Sequence, residues 1–141
     1  MKIGLVALMP ALLLASCQAG EAGSDAPGEV FDGIADDEII YLTATEPFWG
    51  GEIAGGEAVY TTPENQSGTQ FDVARFAGNS GLGFTGTLDG ATFDLTVTPG
   101  DCSDGMSDRT YPYVATLRIG DEQREGCAWT DRQAFDGPVA P

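Results

Sequence analysis

From residue 38 onward, apolar and polar positions alternate in short runs that are cut by Gly, Pro and Asp. The clearest run is Ala91-Thr92-Phe93-Asp94-Leu95-Thr96-Val97-Thr98, with one apolar face and one face of Thr and Asp. A period of two is that of a half-buried β-strand. Leu82-Gly83-Phe84-Thr85-Gly86-Thr87-Leu88 precedes it across Asp89-Gly90, a pair suited to a type I′ turn. A two-residue loop pairs 88 with 91, 86 with 93, 84 with 95 and 82 with 97, which gathers the apolar side chains on one face. A slip of one residue would set Phe84 against a polar position. Gly86 opposite Phe93 leaves the ring room or allows a bend.

The same reasoning predicts strands at Ile39–Thr45, Phe48–Ala54, Glu57–Thr62, Thr69–Phe76, Tyr113–Ile119 and Glu122–Trp129. Gly55-Gly56 and Gly120-Asp121 are the further hairpin turns. No segment keeps helical spacing for long. The expectation is an all-β domain over 38–130, a small antiparallel barrel of about eight strands, because closure removes exposed edges. A two-sheet β-sandwich is the alternative.

The N-terminus follows a different pattern. Lys2 precedes an apolar run from Ile3 to Ala15, shorter than the roughly 20 residues a membrane span needs. Leu14-Ala15-Ser16-Cys17 resembles a bacterial lipobox. Residues 1–16 are thus expected to be a signal peptide. Cys17 is expected to be the lipidated N-terminus of the mature chain, with several acyl chains supplying the anchor. Gln18, in place of an Asp, favours the outer membrane under enteric-type sorting. Residues 17–37 are Gly, Ala, Asp, Glu and Ser with few large apolar side chains, which predicts a flexible acidic tether. The stretch from Gly28 to Glu38 has the alternative of docking on the domain or on a partner. Residues 131–141 are expected to be a C-terminal tail.

Composition narrows the function. The chain has 141 residues, 22 acidic against 6 basic, a net charge of -16 and no histidine. So few cations argue against nucleic-acid binding. The commonest general base and metal ligand is missing. Removal of residues 1–16 takes away Lys2, the only lysine. No cofactor is expected. With Cys17 lipidated, Cys102 and Cys127 remain as an even pair in an exported chain, which reads as one structural disulfide. A redox role is disfavoured, because the two do not form a CxxC.

Two segments hold more unusual residues than folding requires. One runs from Thr45 to Glu52 through Glu46, Pro47, Phe48 and Trp49. The other is Asp101-Cys102-Ser103-Asp104-Gly105-Met106-Ser107-Asp108-Arg109-Thr110-Tyr111-Pro112-Tyr113, closed by Gly126-Cys127-Ala128-Trp129. The combination EPFW, CSDGMSDRTYPY and GCA resembles a group of uncharacterised bacterial envelope proteins and lipoproteins, whose segments also occur beside META domains. The likeness spans residues 43–129. It implies an envelope location and a single domain, and transfers no activity.

Asp101, Asp104 and Asp108 offer hard oxygens to calcium, although the spacing is not that of an EF-hand. The plainer expectation is a loop whose Ser and Asp side chains cap backbone amides, with Gly105 at positive φ and Arg109 paired to an aspartate. Phe48 and Trp49 are expected to pack in the core and barrel mouth, with the alternative of an aromatic anchor for a ligand. Trp49, Tyr111, Tyr113 and Trp129 are expected to line one end of the barrel. Glu46 has two candidate roles, burial against Arg109 or ligand contact.

These readings favour a non-enzymatic, membrane-anchored binding or envelope-accessory protein facing the periplasm, with an unknown protein or small ligand as partner. Alternatives are an inhibitor of a cationic enzyme such as lysozyme, and a hydrolase using paired carboxylates.

Overall fold

A computed structural model describes residues 28–139. The signal segment, Cys17 and the first part of the tether lie outside the described residues, as do residues 140–141. The described chain holds eight strands and no helix: β1 (Ile40–Thr45), β2 (Phe48–Ala54), β3 (Glu57–Thr62), β4 (Asn65–Ala77), β5 (Leu82–Leu88), β6 (Ala91–Cys102), β7 (Tyr111–Ile119) and β8 (Glu122–Thr130). Each strand pairs antiparallel with the next, and β1 pairs with β8, so the sheet closes into a barrel. Up-and-down order follows from the short turns, and closure leaves no strand edge unpaired.

The β5–β6 hairpin has the register that its apolar face demands, Leu82 to Val97, Phe84 to Leu95, Gly86 to Phe93 and Leu88 to Ala91. Asp89 and Gly90 both have positive φ, 48° and 81°, as a type I′ turn requires. Opposite Phe93, the space left by Gly86 is taken by Phe71, whose ring meets Phe93 edge-on at 4.9 Å. Gly55-Gly56 and Gly120-Asp121 make the expected turns.

Three boundaries differ from the pattern in the sequence by two residues or more, and three others by one. β4 starts at Asn65 and not at Thr69, because a register shift at Tyr60–Thr62 lets the polar Asn65–Gly68 stretch join the ladder. β6 continues through Pro99 to Cys102 by a bulge, which absorbs the missing Pro99 amide. β7 begins at Tyr111, two residues early.

The interior is filled by Leu42, Ile53, Leu82, Phe84, Phe93, Leu95, Val97, Ala115, Leu117 and Ala128, with Trp49, Tyr60 and Tyr113. The folded unit extends beyond 38–130 at both ends. Ile34, only 2 % exposed, belongs to the same core, and Phe31 packs against it. The Phe31 amide donates to the Gly78 carbonyl (2.8 Å), and Arg75 Nη2 donates to the Ile34 carbonyl (2.7 Å). Residues 31–38 are therefore a plug and not a free tether, since one branched side chain found the barrel's open end. Glu38 is buried and ties the plug to the C-terminal segment through Thr130 Oγ1 and Gln133 Nε2. Asp131 holds the Ile39 amide (2.9 Å), and Thr110 pairs with Asp136 in an antiparallel bridge. The early part of the tail is thus docked as well. The plug closes the end where β1 begins. The turns at 46–47, 63–64, 89–90 and 120–121 crowd the opposite end.

Candidate functional site

Strand parity sets which side chains face out. Leu42 and Ala44 on β1 point inward, as do Tyr113 and Ala115 on β7 and Ala128 on β8. Thr43, Thr45, Val114 and Cys127 therefore face outward. Cys127 is nevertheless 1 % exposed, because the segment after β6 covers it. Cys102 is bonded to Cys127 with a Cα–Cα distance of 5.6 Å. This confirms the disulfide, which stabilises by about 3–4 kcal/mol in the chain-entropy treatment. From Cys102 the chain crosses the outside of β7 and β8 and reaches β1, where Thr45 Oγ1 donates to the Asp104 carbonyl. The two unusual segments, 59 residues apart at this contact, thus meet on the outer wall.

Asp104 organises this strap. Its Oδ1 accepts the amides of Met106 (2.9 Å) and Ser107 (2.7 Å). Its Oδ2 accepts the hydroxyls of Ser107 (2.6 Å) and Tyr111 (3.2 Å). The Ser107 hydroxyl above all, then the Ser107 amide, hold the carboxyl down to about 2 against burial. Gly105 has φ 77° and Ser103 Oγ accepts its amide, so the loop is built from capped amides as expected. The calcium alternative is not assembled. Asp104 spends its oxygens on its own loop, Asp101 and Asp108 are exposed, and no group of three metal-ligating side chains forms among the described residues.

Among the described residues, Arg109 pairs with no aspartate. It donates to the carbonyls of Pro138 (2.8 Å) and Val139 (2.6 Å), and its guanidinium lies 4.5 Å from the Phe135 ring. The docked tail supplies partners that the loop alone does not. Glu46 is exposed and makes no contact with Arg109. It precedes a cis peptide to Pro47 in the β1–β2 turn.

The four aromatics do not share one barrel end. Trp49 is buried and stacks on Tyr60 at 6.1 Å, and the Tyr60 hydroxyl accepts from Arg124. Tyr113 lies inside near the plug and bonds Gln133. Tyr111 and Trp129 are outside, 5.3 Å apart, in a stack completed by Tyr41 and Phe135. Tyr113 pairs with Pro99 before the register shift in β6, and Tyr111 pairs with Cys102 beyond it. Phe48 and Trp49 are divided too. Adjacent strand residues face opposite ways, so Trp49 is core and Phe48 is 52 % exposed.

Two clefts flank Thr43–Thr45. One, of about 490 Å³, lies over β1–β3 and is lined by Thr43, Phe48, Gly50, Thr61, Pro63 and Gln66 among others. Gly50 stands between Thr43 and Thr61 in the outward row, and its missing side chain makes the hollow. The other, of about 370 Å³, runs between the strap and β8, and is lined by Thr45, Glu46, Ser103, Asp104, Gly105 and Glu125. Sequence reasoning named Glu46, Phe48 and Asp104 but missed Glu125 and Gln66. Glu125 is two residues before Cys127 on the outward face, so the disulfide and strand parity together would have found it. Comparison of the chain with protein-family models, with curated proteins and with solved structures gives no match.

Proposed function

We propose that this chain is a lipid-anchored protein of the bacterial envelope, facing the periplasm, whose barrel binds a partner and performs no chemistry. The observation that carries the binding part is the meeting of the two unusual segments at Thr45 and Asp104, which makes a braced, recessed surface beside an exposed Phe48. A disulfide and a saturated Asp104 fix the strap there, and preorganisation of this kind lowers the entropic cost of binding. The lipobox-like Leu14-Ala15-Ser16-Cys17 and the likeness of the two segments to envelope proteins support the location.

The docked segment before β1 adds an orientation. Phe31 and Ile34 leave the plugged end of the barrel, so an anchor at Cys17 draws that end toward the membrane. The β1–β2 turn with Phe48 then points away from it. Fractionation of cells carrying Cys17→Ala tests the anchor. The variant should move from the membrane to the soluble fraction, and unchanged partitioning would refute it.

Inhibition of a cationic enzyme such as lysozyme is a narrower version, favoured by the carboxylates of the second cleft. A turbidity assay at low salt tests it, with no protection at micromolar protein counting against it.

A further inference from the structure

We infer that the wall between the β1–β2 turn and the disulfide strap is a docking surface for a basic protein segment, one that carries Lys or Arg beside an apolar side chain. The inference rests on the binding role proposed above and assigns the partner's chemistry. Its apolar half is the Gly50 hollow, rimmed by Phe48 and Pro63. Phe48 is 52 % exposed although it sits within a strand, and Met106 on the strap is 70 % exposed. Single exposed apolar residues are ordinary. Here both belong to the two converging segments, and Gly105, beside Met106, lines the neighbouring cleft.

The acidic half names the partner. Glu46, Asp104 and Glu125 line the second cleft, and no arginine lines either cleft. The ion pairs among the described residues, Arg75–Asp36, Arg124–Glu122 and Arg132–Asp37, lie elsewhere. Arg109 is turned to the tail. The hydrogen bonds on Asp104 leave its charge without a cation, so the cleft presents uncompensated negative charge. Charge complementarity then selects among occupants. A second copy, at net charge -16, is repelled, and so are anionic lipid and nucleic acid. The segment just after Cys17 carries Glu21 and Asp25 and no cation, so it does not fit either. A basic segment satisfies Glu46 and Glu125 and offsets the charge of Asp104 while its apolar side chain covers Phe48.

The test uses the full-length chain in detergent and two synthetic peptides, one alternating Lys and Leu and one with Glu for each Lys. The Lys peptide should bind at micromolar concentration in low salt, and the Glu peptide should not. Phe48→Ser should weaken binding about tenfold, and so should Glu46→Gln with Glu125→Gln. Asp72→Asn with Asp94→Asn, which removes the same charge from other outward strand positions, should change it less than twofold. Melting curves of all variants should match the parent, and a variant that melts early is replaced by Phe48→Leu or Glu125→Gln alone. Equal weakening by both charge pairs, no binding of the Lys peptide, or a Phe48-dependent dimer in sedimentation would each overturn the inference. Cys17→Ala fractionation separates the two proposals, because the anchor can fail while the surface binds, and the reverse.

Discussion

Asp104 concentrates more hydrogen bonds than any other acid of the strap, and its environment makes a pH prediction. Its carboxyl, ordinarily near 3.8, is held at about 2 by Ser107, the neighbouring amides and Tyr111. A depressed folded-state value means that the stabilisation is complete above the ordinary value and is lost as pH falls from about 4 toward 2. Asp104→Asn keeps the shape but not the charge. It should melt earlier than the parent at pH 7, by an amount corresponding to about 1–3 kcal/mol. The gap should close between pH 4 and 2, and a gap constant over that range would contradict the assignment. Glu38 is shifted downward too. Burial pushes it up, but the bonds from Thr130, Ala35 and Gln133 and the charge of Arg132 outweigh that. Gly126, in the GCA segment, serves by being small. A Cβ there would come 2.6 Å from the Thr43 carbonyl and 3.0 Å from the Trp49 ring. At this scale the sequence singled out the residues of the strap and of the β1–β2 turn but not their partners. Whether Phe48 or Trp49 is the exposed one depends on which strand parity faces the core.

Among the elements, the segment before β1 departs most from expectation. Composition alone reads as a tether, since three large apolar residues rarely repay the entropy of ordering a chain. The barrel's open end changes that balance by offering Ile34 a site that is already lined. Replacing a buried Ile by Ala costs about 2–5 kcal/mol. Ile34→Ala should therefore lower the denaturation midpoint markedly, and urea titration followed by Trp fluorescence measures it. A change below about 0.5 kcal/mol would mean that the segment is not held. With the proposed anchor at Cys17, docking shortens the lead between lipid and domain to at most roughly 40 Å, at about 3.3–3.6 Å per residue. A signal was present in the sequence, the Val30, Phe31 and Ile34 cluster, but its receiving surface is built by residues 42 to 128.

The whole molecule carries its charge unevenly, and two effects of salt oppose each other. Self-repulsion at -16 destabilises the compact state and is screened by added salt. The three ion pairs are partly or largely exposed and lose little. The melting temperature should therefore rise between 10 mM and 0.5 M NaCl, by about 4–8 °C for each kcal/mol of repulsion relieved. A falling melting temperature would show that ion pairs outweigh repulsion. Binding of a basic partner should weaken over the same range, so stability and affinity move in opposite directions. At this scale the sequence by itself determined the eight strands, the β5–β6 register and the disulfide partners, because each rests on local alternation, on turn chemistry or on the count of cysteines left after Cys17. Closure was expected, and the β1–β8 ladder decided it against the sandwich; tertiary structure alone decided that residues 31–38 plug the barrel, that the tail takes Arg109, and that the strap crosses two strands to Thr45. Those contacts join residues far apart in the chain, and their free energy comes from surfaces that exist only once the barrel has closed.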